Sequence, residues 1–254
     1  MSKSAIPPLA TYALRLADDA LVLSHRLGEW ISVAPAIEED IALGNIGLDL
    51  IGQARTLLTY AGEVEGRGRT EDDLAYLRDE REFLNVQLVE IPNGDFGVTM
   101  ARQLVFSVYQ LGLYQQLEGS ADPTLAGVAA KAVKEVAYHR DHAVQWVIRL
   151  GDGTEESHRR MQAGLDTVWP YVDELFEGDE VELELADTGI AVDPADLRGA
   201  WSDSIAAVLV EATLEQPTPR WRARGGRHGI HTESLGFTLA EMQHLHRSHL
   251  GASW

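Results

Sequence analysis

The chain contains no cysteine among its 254 residues. That absence rules out disulfides, thiolate metal sites and a cysteine nucleophile, and leaves oxygen and imidazole as the available metal-binding chemistry. Positive charge is also scarce: 21 Lys and Arg stand against 40 Asp and Glu, for a formal net charge of -19. A field of that sign repels phosphate backbones, so nucleic acid is not expected as a partner. Long apolar runs are missing too. Nowhere do 18 consecutive apolar residues occur, so no membrane span is expected. The apolar stretch from Leu9 to Leu23 is broken by Arg15, Asp18 and Asp19 within what would have to be a signal-peptide core. The expected compartment is the cytoplasm. There is no Gly-x-Ser-x-Gly elbow for a serine nucleophile, and Gly225-Gly226-Arg227 lacks the spacing of a phosphate loop.

What is present is helical periodicity. With 45% apolar and 24% charged residues, the composition is that of an ordinary globular protein, expected here as a single domain over residues 1–254. Apolar residues at three-to-four spacing predict a helix from about Leu9 to Trp30 and a long one after Pro35, through Ile41, Ile46, Leu50 and Leu57. Gly44, Gly47 and Gly52 inside the second suggest close approach of a neighbour. Thr70 with Asp73 opens a short helix to about Leu84, and Pro92-Asn93-Gly94 marks a turn. Further helices are predicted over Val98–Leu117, from Asp122-Pro123 to Leu150, from Thr154 to Leu175, from Asp193-Pro194 through Ala212, and from Thr232 through Leu245. The alternating segment Val181–Leu185 is too short to found a sheet and reads as an irregular connector. The expected fold is therefore all-α, an up-down bundle over about 9–176 with additional C-terminal helices and a loop over about 193–254.

Long antiparallel helices are where carboxylate-bridged di-iron sites are built, from a Glu on each of two helices and a Glu-x-x-His pair on each of two others. Two such pairs occur, Glu155 with His158 and Glu241 with His244. With 22 glutamates and 9 histidines, roughly 0.8 would arise by chance from composition alone, so the pairs carry little weight. Glu155 also stands in a first turn, where the helix dipole already explains an acid. At mid-helix the pattern fails. Asp49 is followed by Gly52 and Gln53, and Glu135 by Tyr138 and His139. Glu135, His139 and His142 share one helix face, which a hydrogen-bonded polar network or a solvated face explains without metal. The one basic concentration lies between the last two helices, with Arg220, Arg222, Arg224 and Arg227 in a segment that its prolines and paired glycines keep from being helical throughout. These arginines could grip an anionic group such as coenzyme A phosphates, dock an acidic subunit face, or form a solvated loop.

Several stretches together carry a resemblance: Glu38 to Arg55, Pro92-Asn93-Gly94-Asp95-Phe96, Lys134 to His139, Gly225 to Gly236, and Leu239-Ala240-Glu241-Met242-Gln243. They are similar to the C subunits of bacterial phenylacetyl-CoA epoxidase, the ring-1,2-phenylacetyl-CoA monooxygenase, and the similarity runs from about Leu16 to the C-terminus. The resemblance implies a ferritin-like helical subunit of an oxygen- and NADPH-dependent monooxygenase complex in phenylacetate degradation. Its partners would be a homologous catalytic A subunit, further small subunits and a reductase. It implies no cofactor in this chain, di-iron in the A subunit, and FAD with iron–sulfur in the reductase. No catalytic residue is carried over. Asp49, Gln53, Glu135, Tyr138 and His139 are then vestiges of a metal site, and Arg220, Arg222, Arg224 and Arg227 are contacts for a partner or for CoA. The alternative is a di-iron oxygenase active in its own right. A structural subunit should present an exposed apolar patch where its partner sits.

Overall fold

A computed structural model describes residues 6–252. The elements in chain order are α1 (Pro8–Gly28), α2 (Ile37–Glu65), α3 (Glu71–Tyr76), α4 (Phe96–Leu117), α5 (Pro123–Gly151), α6 (Glu155–Val168), α7 (Glu180–Asp187), α8 (Pro194–Glu211) and α9 (Glu233–Ser248), with short 3-10 turns between them. The fold is all-α; the described residues contain no strand, and no helix among them is long and apolar enough to cross a membrane.

The helix starts follow local chemistry. Thr70 and Asp73 form a reciprocal capping box, Asp122 accepts from the Thr124 and Leu125 amides ahead of Pro123, and Asp193 accepts from Ala195 ahead of Pro194. Three expectations need correction. The helix expected from Thr70 to about Leu84 ends at Tyr76, and only a 3-10 turn at Glu80–Glu82 follows it. Residues Val181–Leu185 belong to α7, whose Asp179 and Glu182 make another capping box. The helix expected to run from Thr154 to Leu175 ends at Val168, because Pro170 cannot continue the α ladder; 3-10 turns at Trp169–Tyr171 and Asp173–Phe176 replace its last part.

The chain divides into two compact units. Unit one comprises residues up to Ile91 together with Gly225 onward, and unit two is Pro92–Arg224. The two C-terminal helices therefore belong to different units, α8 to unit two and α9 to unit one. In unit one, α1 and α2 make an antiparallel hairpin in which Gly47 approaches the Ser24 carbonyl and the Leu27 Cβ at 3.6 and 3.8 Å. Helix α1 is buried almost all round, yet it carries Arg15, Asp18, Asp19 and Arg26.

In unit two, α4 is buried nearly throughout and packs against α5, α6 and α8. The α4–α6 crossing is tight because Gly97 and Gly164 face each other. Trp201 on α8 donates its indole N–H to the Val105 carbonyl of α4 at 3.0 Å. Its ring meets Phe176 and Trp169 at 5.2 and 6.1 Å between centroids, an aromatic cluster that joins α8 to the turns after α6.

Candidate functional site

The mid-helix positions are reached on α2 in unit one and on α5 in unit two. On α2, Asp49 is half-buried and Gln53 buried. On α5, Glu135 is half-buried with the Lys131 ammonium 3.6 Å away, His139 is buried, and Tyr138 is about half exposed, its ring 6.4 Å from that of His139 and 6.3 Å from that of His142. The α5 residues thus share a helix face as their spacing predicts, with Tyr138 directed outward.

A di-iron centre needs four carboxylates and two imidazoles converging in a bundle interior, and neither literal Glu-x-x-His pair stands in such a place. Glu155 lies exposed in the first turn of α6, and His158 Nδ1 sits 2.7 Å from the Gly151 carbonyl, serving the preceding helix end. Glu241 and His244 are exposed on α9. One pair belongs to each unit, on a solvent-facing or terminal position. Among the described residues no three of His, Asp and Glu gather into a group that could hold a metal ion.

The four arginines of the basic segment have separate fates. Arg222 and Arg224 lie exposed in unit two, paired with Asp173 at 2.8 Å and Glu177 at 3.3 Å, and Arg220 is exposed. Arg227 points into unit one. Its guanidinium donates to Asp19 at 3.0 and 2.8 Å and to the carbonyls of Arg15 and Leu84 at 3.2 and 3.0 Å. It is occupied in fastening residues of the C-terminal segment to α1.

That contact is one knot of a buried charge network that sequence reasoning did not find. Arg78 makes a two-pronged ion pair with Asp18, the side chains being 2% and 0% exposed, and Asp18 also accepts the Leu84 amide at 2.8 Å. Asp19 accepts the Val86 amide at 2.8 Å. Burial pushes its pKa up to about 6, while Arg227 and the Val86 amide pull the other way. Glu90 is wholly buried against His231 Nδ1 at 2.7 Å, accepts from Asn85 Nδ2 and from the Thr232 amide, and its backbone carbonyl accepts from Arg26. His231 Nε2 lies 2.8 Å from the Phe83 carbonyl. The Gly225–Gly236 stretch is thus a clasp that binds the end of the chain to α1 and to the 78–91 connector. Gly229, at φ 71°, passes so close to the Arg81 carbonyl that no Cβ could be accommodated.

The clasp titrates. Burial pulls the His231 pKa down, but the hydrogen bond and charge of Glu90, with the Phe83 carbonyl, outweigh it and leave the group raised above its ordinary 6.5. A histidine raised on folding contributes stability that is complete below its unfolded pKa and lost as pH rises through the folded value. The melting-temperature gap between the wild type and His231→Gln is therefore expected to be widest at or below about pH 6.5, the unfolded value, and to narrow at higher pH. A gap independent of pH would show that Glu90 does not hold a charged imidazole.

On its outer side α2 is apolar where a solvated helix would be polar. Ile37, Ile41, Leu48 and Ile51 are 71, 59, 66 and 47% exposed, and Ile31 and Val33 just before them are also exposed. Six large apolar side chains within 21 residues make a surface of the kind that subunit contacts cover.

The family model described as "Phenylacetic acid catabolic protein" matches residues 1–254 of the chain. The chain is 49% identical over 246 residues to the C subunit of the 1,2-phenylacetyl-CoA epoxidase of Escherichia coli (strain K12), covering 97% of this chain and 99% of that protein.

Proposed function

The chain belongs to the phenylacetic acid catabolic protein family, whose fold is the ferritin-like helical one, and from that premise we propose that it is a structural, non-catalytic C-type subunit of a multicomponent phenylacetyl-CoA 1,2-epoxidase. In this reading it supports a homologous catalytic A subunit that holds the di-iron centre, while FAD and iron–sulfur groups belong to a reductase fed by NADPH, and the complex works in the cytoplasm. The observation that carries it is the donor set. Three residues after Asp49 stands Gly52, with Gln53 next, and three after Glu135 stands Tyr138, so neither mid-helix acid opens a Glu-x-x-His pair, and both literal pairs lie on exposed or terminal positions. The apolar outer face of α2 supports a life in a complex.

Asp49, Gln53, Glu135, Tyr138 and His139 are then remnants of a ligand-bearing ancestor. Arg220, Arg222 and Arg224 are the contacts offered to an acidic subunit face or to CoA phosphates; Arg227 serves the clasp instead.

Elemental analysis of the chain purified alone and with its catalytic partner tests the reading. No iron in the isolated chain, and iron only in the complex, is the expected result. About two irons per isolated copy, the content of a di-iron bundle, would replace the structural reading with that of an oxygenase in its own right. The same preparations carrying Arg220→Ala, Arg222→Ala and Arg224→Ala separate the two arginine roles: lost co-purification marks a subunit contact, and a raised KM for the CoA thioester in an intact complex marks a substrate contact.

A further inference from the structure

We infer that Asn93 is a self-modification site: in the folded protein the Gly94 backbone nitrogen attacks its side-chain amide and converts it to a carboxylate, and the buried Arg102 steers the product to ordinary aspartate. The Pro92-Asn93-Gly94 turn leads into α4 within unit two, and the proposed function gives it no role. This inference does not rest on the subunit reading.

The reaction needs a nucleophile, a polarised carbonyl carbon and a leaving group within one turn. The nucleophile is the nitrogen of Gly94, which is exposed, sits at φ 58° and has no Cβ to shield that atom. Among the described residues no hydrogen bond engages its N–H. The carbon is Cγ of Asn93, whose Oδ1 accepts from the Arg102 guanidinium at 2.6 Å; Arg102 is 0% exposed. A desolvated cation on a carbonyl oxygen draws charge from the carbon and stabilises the oxyanion that forms when a nucleophile adds. The other two asparagines of the chain lack this setting. Asn45 precedes Ile46 inside α2, where the helix ladder holds the next amide, and Asn85 precedes Val86, whose N–H donates to Asp19 at 2.8 Å.

The steps balance with water as the sole co-reactant and no change of oxidation state. The Gly94 nitrogen bonds to Asn93 Cγ, the Cγ–Nδ2 bond breaks, and the proton shed by Gly94 ends on the departing nitrogen, which leaves as ammonia. The result is a cyclic imide. Water then opens the ring at either carbonyl. Attack at Cγ breaks its bond to the Gly94 nitrogen and gives aspartate in an unaltered main chain; attack at the backbone carbonyl gives isoaspartate, with the chain rerouted through the side chain. The two oxygens have unequal donors. Arg102 serves the Cγ oxygen, and the Thr99 hydroxyl donates to the backbone oxygen at 3.0 Å. The charged donor is the stronger, so water is directed to Cγ. The aspartate produced faces the Arg102 cation on one side and, at a half-buried position, keeps solvent on the other.

The test is ageing of the full chain at mildly alkaline pH, native and in guanidinium chloride, followed by mass spectrometry of the tryptic peptide 82–102 and of the peptide that carries Asn45. In the native sample Asn93 is expected to turn to acid while Asn45 and Asn85 stay amides, with aspartate exceeding isoaspartate. In the denatured sample, where Arg102 no longer holds Oδ1, isoaspartate should exceed aspartate. Asn93→Asp, the product made directly, should melt about 2–4 °C above the wild type, the shift expected when a hydrogen bond becomes one between two charged groups. Asn93 still an amide in the native sample once the denatured one has converted, the same product ratio in both samples, or Asn93→Asp melting at or below the wild type overturns the inference.

Discussion

Replacing Asp18 with alanine is expected to destabilise the protein by about 3–5 kcal/mol, the range for removing one partner of a buried ion pair. The loss is large because of what remains behind. Arg78 stays 2% exposed, its planar group stacked 4.2 Å over the Phe83 ring, with no counter-charge on the side that Asp18 filled, and the Leu84 amide loses its acceptor. At the few degrees per kcal/mol usual for a chain of this size, the midpoint of thermal unfolding should fall by roughly 10 °C. Circular dichroism melts read it directly. Asp141→Ala is the matched control, because its pair with Arg140 is exposed at both ends, and such pairs contribute about 0–1 kcal/mol. A double change of Asp18→Ala with Arg78→Met should recover part of the loss, since the buried cation would be gone as well. If Asp18→Ala and Asp141→Ala melted alike, the network in unit one would not be holding that unit together.

The second large effect is expected at the α4–α6 crossing. A Cβ on Gly164 would lie 2.7 Å from both the carbonyl carbon and the oxygen of Gly97 and 2.9 Å from the Val98 amide nitrogen, and a Cβ on Gly97 would lie 3.0 Å from the Arg160 carbonyl oxygen. All of these neighbours are backbone, so no side-chain rotation relieves them; the two helices must move apart. Gly164→Val should therefore cost about 3 kcal/mol or more, at the upper end of overpacking effects. Gly127, in the first half of α5, has nothing within 4 Å of where its Cβ would stand. There Gly127→Ala should stabilise by roughly 0.5–1 kcal/mol, the ordinary helix preference for alanine. Chemical denaturation of the two variants beside the wild type gives both signs in one experiment, and a loss at Gly127 equal to that at Gly164 would discredit the packing argument.

The helices were legible in the sequence because their signals are local. Thr70 with Asp73, Asp122 with Pro123 and Asp193 with Pro194 each act over three residues or fewer, and all three set helix starts as read. The misreading at α7 came from trusting the alternation of Val181, Leu183 and Leu185 over a cap. Asp179 and Glu182 stand at capping-box spacing, and in the fold Leu183 is 44% exposed while Leu185 is buried, so the alternation had no sheet face to serve. At α6, Pro170 was visible but was outweighed by apolar periodicity that in fact continues into 3-10 turns. That Asp49 and Glu135 open no Glu-x-x-His pair was legible for the same local reason, since whether an acid is followed three residues on by His needs only one turn of helix.

The charge network was not legible. Asp19 finds Arg227 across 208 positions and Glu90 finds His231 across 141, and no spacing rule links residues so far apart. Arg15, Asp18 and Asp19 did stand out within the apolar run of α1, where they served only to argue against a signal peptide. Four charged residues, Arg15, Asp18, Asp19 and Arg26, on a mostly apolar helix were the available hint that α1 is buried with its charges paired. The arginine segment misled in the opposite direction, because composition grouped Arg227 with three neighbours from which the fold separates it.

Unit one is assembled from both ends of the described chain, and this has a consequence for the order of events during synthesis. Asp19 and Glu90 leave the ribosome long before Arg227 and His231 exist, and at about 5–20 residues per second the intervening stretch takes on the order of ten seconds to make. Throughout that interval α1 and the 78–91 connector carry two acids whose partners are still untranslated. Unit two, by contrast, is continuous from Pro92 to Arg224 and can close as soon as its last helix emerges. The first half of unit one must therefore wait, incomplete, while the middle of the chain folds, and its final locking is tied to the arrival of the clasp.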